Sequence, residues 1–341
     1  MSKGPATSVS DRRDITSMHI ASSAVVVGRP QLGEDALVAQ GAVIRAAAGA
    51  VEIGSGSAVL ENSVVVGRAD MQTRVGRRTT FGHRCLVIGT TVGDLCEIGN
   101  ASILMPGSRV GDRVFLAEGT LVPAGTRVPN DVVAVGRPAR VIRTVSVADL
   151  GRLRRLRGGD LTLPPLTSFT IQPTTEPGMG QLYAYRGIRP TVAASAVLFP
   201  TAEITGDVVI GERSIIGAGV KIIGDSHGPV RIGDDVQILE NTVLHLLPDN
   251  ELVIDSGAII GPGAMIHGCH LGARSVVEPG AIVCDGSVVG AECVVRAGAV
   301  VKQRSQFPAR TEIDGFPAVE VARIDPPAIP AWALERDDLP W

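Results

Sequence analysis

Aromatic rings and excess positive charge are scarce in this sequence of 341 residues. Aromatic residues make up 3% of it, as six Phe, two Trp and two Tyr, against 41 glycines. A core must therefore consist of aliphatic side chains, and base-stacking nucleic-acid modules, which need exposed rings, are excluded. The 32 Lys and Arg residues against 35 Asp and Glu give a net charge of −3, so no nucleic-acid partner is expected.

Long apolar runs and paired cysteine motifs are also missing. A membrane-spanning helix needs about 18 or more apolar residues in succession, and no such run occurs, so no membrane partner is expected. The polar start, MSKGPATSVSDRRD, lacks the apolar segment of a signal peptide. The odd number of cysteines and the absence of CxxC favour a cytoplasmic protein with free thiols in its core, namely Cys85, Cys96, Cys269, Cys284 and Cys293.

What the sequence does contain is a short internal repeat. An aliphatic residue recurs every six positions, at Val92, Ile98, Leu104, Val110, Leu116, Val122 and Val128, and again at Leu271, Val277, Val283, Val289, Val295 and Val301. The residue four positions later is small or short, as Cys96 and Ala281 are. A period of six is neither helical nor a plain alternation. It suits a coil with three flat faces, each a short strand with its aliphatic residue inward, and predicts an all-β solenoid.

This period resembles that of the hexapeptide-repeat family, over roughly 20–142 and 190–322. The resemblance implies left-handed parallel β-helices. It says little about activity, because acyltransferases, carbonic-anhydrase-like enzymes and passive scaffolds share the fold.

The two halves are copies of one unit. Positions of the first half recur 179 residues later, so that LENSVVV at 60–66 matches LENTVLH at 239–245. We therefore predict two tandem left-handed β-helix domains with a short helix and a linker between them. The predicted segments are a flexible N-terminus at 1–18, the first β-helix at 19–143, a helix and linker at 144–180, the second β-helix at 181–323 and a C-terminal tail at 324–341. Within 144–180, Ser146 is the predicted cap of a basic helix at 147–157, followed by a Pro- and Thr-rich stretch.

The second copy resembles gamma-class carbonic anhydrases more closely, both from Leu182 to Asp225 and in GPGAMIHGCHLG at 261–272. The resemblance places His245 and His267 at the first and third metal histidines of that family. Pro262 stands where the second belongs, but the equivalent residue of the first copy is His83. In the family, the middle histidine comes from a neighbouring subunit. The resemblance therefore implies one composite metal site where a first copy meets a second copy.

Three neutral imidazoles are a ligand set that Zn²⁺ prefers, and they leave a fourth position open for water. The cation lowers the pKa of that water to about 7, which yields a hydroxide nucleophile at neutral pH. We expect Zn²⁺, or Fe²⁺, held by His83, His245 and His267.

Other positions of the family's active site are changed or divided between the copies. The family's Arg is kept as Arg45 and its Asp as Asp225, which predicts an Arg45–Asp225 pair across the interface. The family's Gln is replaced by leucine in both copies, and its second Asp is replaced by Glu61 and Glu240. Glu240, in the same copy as two of the histidines, is the better candidate for acid–base work or for holding the metal-bound water. Loss of the Gln puts hydration of CO₂ itself in question.

Three functions remain open from the sequence. The first is a zinc-dependent, carbonic-anhydrase-like lyase or related metalloenzyme that acts on CO₂, bicarbonate or a specialised small molecule. The second is a hexapeptide acyltransferase that binds acyl-CoA in the groove between coils and uses a histidine as general base. The third is a non-catalytic structural subunit. A homo-oligomer or a pseudo-oligomer within one chain is expected in each case.

Overall fold

The computed structural model describes residues 19–174, 180–225 and 228–335; the predicted flexible N-terminus, 1–18, lies outside them. The described chain forms two three-sided, left-handed parallel β-helices with one α-helix between them, which confirms the predicted fold class. Each β-helix has three sheets, one per face. We name them 1a, 1b and 1c in the first copy and 2a, 2b and 2c at the equivalent positions of the second.

The first copy winds through its three sheets in the order 1a, 1b, 1c. Sheet 1a contains His19–Ile20, Leu37–Val38, Ala58–Val59, Thr80–Phe81, Glu97–Ile98, Phe115–Leu116, Val132–Val135 and Arg140–Thr144. Sheet 1b contains Val25–Gly28, Val43–Ala46, Val64–Gly67, Leu86–Ile88, Ile103–Leu104 and Leu121–Val122. Sheet 1c contains Gln31–Leu32, Val51–Ile53, Thr73–Val75, Thr91–Val92, Arg109–Val110, Arg127–Val128 and, on its edge, Phe169–Thr170. A 3₁₀ turn covers Ala47–Gly49.

The second copy repeats this arrangement. Sheet 2a contains Val197–Leu198, Ile215–Ile216, Gln237–Ile238, Ile259–Ile260, Val276–Val277, Val294–Val295, Thr311–Gly315 and Ala318–Arg323. Sheet 2b contains Gln181–Tyr183, Glu203–Gly206, Lys221–Gly224, Val243–His245, Met265–His267, Ile282–Val283 and Val300–Val301. Sheet 2c contains Thr191–Val192, Val208–Ile210, Val230–Ile232, Leu252–Ile254, His270–Leu271, Val288–Val289 and Gln306–Phe307. Each copy ends in an antiparallel hairpin at the end of sheet 1a or 2a.

The residues of the six-residue period fill the interior of each β-helix, as predicted. All thirteen of those aliphatic side chains, from Val92 to Val301, are buried. In the later coils, parallel partners lie three repeats apart, as Thr91 and Arg109 do, so each aliphatic residue stacks on its counterpart in the next coil. The five cysteines are free. Burial raises the pKa of the Cys85 and Cys96 thiols to about 12, so both stay protonated at neutral pH.

Glycine ends one strand in each copy at an equivalent corner, because the backbones there come too close for a side chain. Gly28 and Gly206 both have a φ of 78°. A Cβ atom would lie 2.1 Å from the carbonyl oxygen of Ala46 at Gly28 and 2.0 Å from that of Gly224 at Gly206. Only glycine combines this positive φ with such an approach.

The helix α1, Val147–Leu156, begins at the predicted cap. The Ser146 hydroxyl accepts a hydrogen bond from the Asp149 amide, and the Asp149 carboxylate accepts one from the Ser146 amide, which forms a capping box. Leu153 is buried, and Arg157, just after the helix, pairs with Glu97 of sheet 1a at 2.5 Å. The described helix is too short and too polar to cross a membrane.

The segment after α1 runs back along sheet 1c toward the first coils. Phe169–Thr170 pairs antiparallel with Gln31–Leu32, and the Thr167 hydroxyl accepts a hydrogen bond from the Glu34 amide at 2.8 Å. Because the chain returns to this end before the second copy starts, the two β-helices lie side by side with equivalent coils level. Asn241 Nδ2 accordingly donates to the carbonyl oxygen of Gly41 at 3.1 Å. It also donates, at 3.3 Å, to the carbonyl oxygen of Asn62, which is the equivalent of Asn241 in the first copy.

The outer face of sheet 1b packs against the outer face of sheet 2a. Their aliphatic side chains form one buried cluster, which includes Val64, Val66, Leu86 and Ile88 of sheet 1b and Ile215, Ile259, Val276 and Val294 of sheet 2a. From the predicted C-terminal tail, Trp332, Ala333 and Leu334 are buried in the same cluster. We call this contact the internal interface.

Candidate functional site

His245 and His267 lie side by side on the outer face of sheet 2b. They end neighbouring strands and are direct partners in the parallel register. Their ring centroids are 5.9 Å apart with an angle of 89° between the planes, and 28% and 27% of the two side chains is exposed. We call them the paired histidines. Two imidazoles at this spacing, open to solvent on one side, can act as two ligands of one cation.

A carboxylate stands beside each of the paired histidines. An Asp225 oxygen is 3.7 Å from Nε2 of His245, and an Asp285 oxygen is 3.5 Å from Nδ1 of His267. Asp285 is itself held in place, since it accepts a hydrogen bond from the Leu247 amide at 3.0 Å. The sequence argument missed Asp285. The spacing in the sequence could have indicated it, because Asp285 follows His267 by 18 residues, which is one coil of three six-residue faces.

His83 lies on the corner between sheets 1a and 1b. Its backbone N–H donates to Asn100 Oδ1 at 2.8 Å, which fixes the corner to the next coil. Its Nδ1 is 2.8 Å from a carboxylate oxygen of Glu61, and 54% of the His83 side chain is exposed. A histidine whose Nδ1 is held by a carboxylate presents Nε2 outward, which is the usual arrangement of a metal-binding histidine and its supporting group.

The fold does not bring His83 to the paired histidines within one chain. In the described residues, no three His, Cys, Asp or Glu side chains are grouped closely enough to hold a metal ion. The three histidines stay apart because the internal interface joins sheet 1b to sheet 2a and does not include the outer face of sheet 2b. Sheet 1b carries Val66 and Ile88 at the positions equivalent to the paired histidines, and the corner of the second copy carries Pro262 at the position equivalent to His83; all three are buried.

Arg45 has a different partner from the predicted Asp225. Its Nε lies 2.5 Å from Oε1 of Glu240, and one Nη donates to the carbonyl oxygen of Trp332 at 2.8 Å. The prediction of an Arg45–Asp225 pair is wrong within the chain because Arg45 is on sheet 1b, which faces sheet 2a, whereas Asp225 follows a strand of sheet 2b. Both side chains of the Arg45–Glu240 pair are 2% exposed, so the pair is part of the internal interface.

The two equivalent glutamates therefore differ in their surroundings. Glu240 is enclosed between the copies, away from the outer face that carries the paired histidines. Glu61 is 40% exposed and contacts His83. Its position suits the support of a ligand, whereas that of Glu240 suits the joining of the two copies.

A separate cleft of about 480 Å³ opens between the closing hairpins of the two copies. Its walls include Met105, Leu121, Arg137, Arg296 and Phe316. Arg137 and Phe316 are equivalent residues of the two copies, so one hairpin brings a guanidinium group and the other an aromatic ring to the same space. Clefts of this size and mixed character hold small organic ligands.

Comparison with known proteins agrees with this architecture. The family model "Hexapeptide repeat of succinyl-transferase" matches residues 72–106 and 267–297. The chain is 32% identical over 143 residues to the carnitine operon protein CaiE of Proteus sp. (strain LE138), an alignment that covers 42% of this chain and 72% of CaiE. It therefore belongs to the hexapeptide-repeat family that includes CaiE.

Two further similarities point to different activities in the matched proteins. The chain is 37% identical over 109 residues to a carbonic anhydrase of Geobacillus kaustophilus, covering 32% of this chain and 59% of that protein. It also matches the crystal structure of a putative acetyltransferase of Bacillus cereus with 31% identity and a TM-score of 0.42, covering 42% of this chain and 84% of that one.

Proposed function

We propose that this protein is a carbonic-anhydrase-like metalloenzyme whose metal is held by His83 and the paired histidines. One observation carries the proposal. The three family metal positions are histidine on the outer faces, whereas their equivalents at the internal interface are Val66, Ile88 and Pro262. Accidental loss would scatter the surviving histidines over covered and open faces, whereas use in a site open to solvent accounts for this division.

The donor groups fit Zn²⁺. Three imidazoles form a ligand set of the catalytic zinc type, with one position left for water or substrate. Glu61 beside His83 and Asp285 beside His267 supply carboxylates that orient two of the rings. A divalent cation bound there supplies Lewis acidity toward water or a carbonyl oxygen.

The surroundings of the paired histidines combine apolar side chains with carboxylates. Val243 and Met265 lie on the outer face of sheet 2b, on the same two strands as the paired histidines. These apolar side chains lie two positions before the paired histidines, and Asp225 and Asp285 place negative charge beside the imidazoles. The family's Gln is Leu60 in the first copy, so that position has no amide to orient a water molecule. CO₂, bicarbonate or a small carbonyl compound is the substrate class that fits.

The metal content of the purified protein tests the proposal. Protein purified without chelator is expected to carry about one zinc or iron ion per chain by inductively coupled plasma mass spectrometry, since each chain supplies one set of three ligands. Protein stripped with a chelator and dialysed against each metal separately identifies the preferred ion. Protein that carries no metal, and takes up none after stripping, rejects the proposal.

The cleft between the closing hairpins favours a second candidate, an acyltransferase that binds acyl-CoA there. A guanidinium group such as that of Arg137 suits a phosphate, and the ring of Phe316 and the side chains of Met105 and Leu121 suit the apolar parts of the ligand.

For this candidate, calorimetric titration with acetyl-CoA is expected to show binding that chelator treatment does not change. Arg137→Ala should weaken that binding by about 10- to 100-fold, because a charge-assisted hydrogen bond is worth roughly 1.5–3 kcal/mol. Arg140→Ala, in the same hairpin but not among the residues that line the cleft, is the matched control. Absence of heat on titration excludes this candidate.

A further inference from the structure

We propose that the pocket between α1 and the outer face of sheet 1a binds a small zwitterion, a molecule with one carboxylate and one ammonium group. We call it the helix pocket. It is separate from the paired histidines and from the cleft between the closing hairpins, and its ligand would need no metal. Its size, the polarity of its floor and two unpaired charges point to this class of ligand.

The helix pocket has a volume of about 340 Å³. Its floor is an outward row of sheet 1a, formed by Thr80, Glu97 and Phe115, which are successive partners in the parallel register. Arg152 of α1 lines the pocket from the helix side. Pockets of this volume hold small organic molecules, and the fold therefore leaves room for one between the helix and the sheet.

The same row of the second copy shows how a face that is covered by protein alone is built. There, packing against sheet 1b leaves the side chains at most 7% exposed, and all three are aliphatic: Ile259 for Thr80, Val276 for Glu97 and Val294 for Phe115. Beneath α1, by contrast, the three side chains are only partly buried and two of them are polar. Because burial favours apolar side chains, the polar row and the space above it indicate a surface that binds a ligand.

Most charges around the helix pocket are paired within the chain. Glu97 lies 2.5 Å from Arg157, and Arg143, which also lines the pocket, donates to Asp149 at 3.1 Å. Burial raises the pKa of the Glu97 carboxyl group, while the positive charges of Arg157 and Arg152 act in the opposite direction. These two ion pairs leave the floor of the pocket without net charge.

Two opposite charges at the rim of the helix pocket remain. Arg152 comes from α1, and Glu118 comes from the corner between sheets 1a and 1b; both are exposed, and neither forms an ion pair with a described residue. A zwitterion satisfies both, since its carboxylate pairs with the guanidinium group of Arg152 and its ammonium group with the carboxylate of Glu118. The ring of Phe115 offers an apolar surface to the carbon chain between the two groups.

A series of ω-amino acids tests the proposal and measures the spacing of the two charges. In calorimetric titrations with glycine, β-alanine, 4-aminobutyrate and 6-aminohexanoate, we expect binding with an optimum in chain length. Analogues of the best ligand that lack its amino group or its carboxyl group should bind at least about tenfold more weakly, because each loses a charge-assisted interaction. Treatment of the protein with a chelator should leave the binding unchanged.

Substitutions at the rim identify which charge meets which group. Arg152→Ala should weaken binding of the best amino acid by about 10- to 100-fold. Glu118→Gln should weaken it as well but leave the affinity for the analogue without an amino group unchanged. Arg154→Ala, on the same helix but not among the residues that line the pocket, is the matched control and should bind as the wild type does.

Three results would overturn the inference: no amino acid of the series binds, the analogue without an amino group binds as tightly as the amino acid, or Arg152→Ala binds as the wild type does. A protein without metal that still binds the amino acid rejects the proposed function and leaves the helix pocket standing. Conversely, a protein that carries zinc but binds no amino acid rejects only the helix pocket.

Discussion

Glu240→Gln is expected to lower the free energy of unfolding by about 3–5 kcal/mol, because it leaves a buried guanidinium group without its counter-ion. Glu240 and Arg45 are both 2% exposed and lie 2.5 Å apart at the internal interface. Neither side chain can turn to solvent without separating sheets 1b and 2a. The loss is measured as a shift in the midpoint of urea-induced unfolding.

The chain contains a matched control for this prediction. Glu61 is the equivalent of Glu240 in the first copy, but it is 40% exposed and contacts His83 instead of a buried arginine. Glu61→Gln should therefore change stability by no more than about 0.5 kcal/mol. The double variant Arg45→Met, Glu240→Leu removes both charges and should recover most of the loss. If Glu61→Gln and Glu240→Gln destabilise the protein equally, the difference in burial does not govern their roles.

Replacing any one of the three predicted ligands with alanine is expected to lower zinc affinity by more than about 100-fold, since loss of a mere supporting group already costs about 10–100-fold. His83→Ala should be as damaging as His245→Ala or His267→Ala, although His83 lies in the other copy. The measurement is competition for zinc against a chromophoric chelator of known affinity.

His270→Ala is the control for these variants. His270 lies three residues after His267 but on sheet 2c, where its Nε2 is 2.9 Å from Asp255. Its removal should leave zinc affinity unchanged. Full zinc binding by His83→Ala would contradict a composite site.

Much of the fold could be predicted because a β-helix is built from local, repeated contacts. Each coil packs on the next through the same aliphatic position, so a period of six along the chain defines a row of buried residues. The cap at Ser146 was equally local, since it depends on groups three residues apart. By contrast, the burial of Trp332 between the copies depends on surfaces far away in the chain, and no local pattern indicates it.

The candidate ligands came from the resemblance to gamma-class carbonic anhydrases together with the duplication, since a comparison of positions 179 residues apart shows that His83 is the equivalent of Pro262. The partner of Arg45 could not be obtained in this way. Glu240 and Asp225 are both acidic and both belong to the second copy, and what separates them is the sheet that each adjoins. That difference follows from the packing of sheet 1b on sheet 2a, which no pattern along the chain encodes.

The sequence by itself determined two aliphatic-filled β-helices and the scarcity of aromatic rings that such narrow interiors require. Through its resemblance to gamma-class carbonic anhydrases it also predicted three histidine ligands divided between the copies. Only the tertiary structure decided which faces are covered. Because sheet 1b buries its aliphatic face against sheet 2a and encloses the Arg45–Glu240 pair, the internal interface contains none of the three predicted ligands, which lie on faces exposed to solvent.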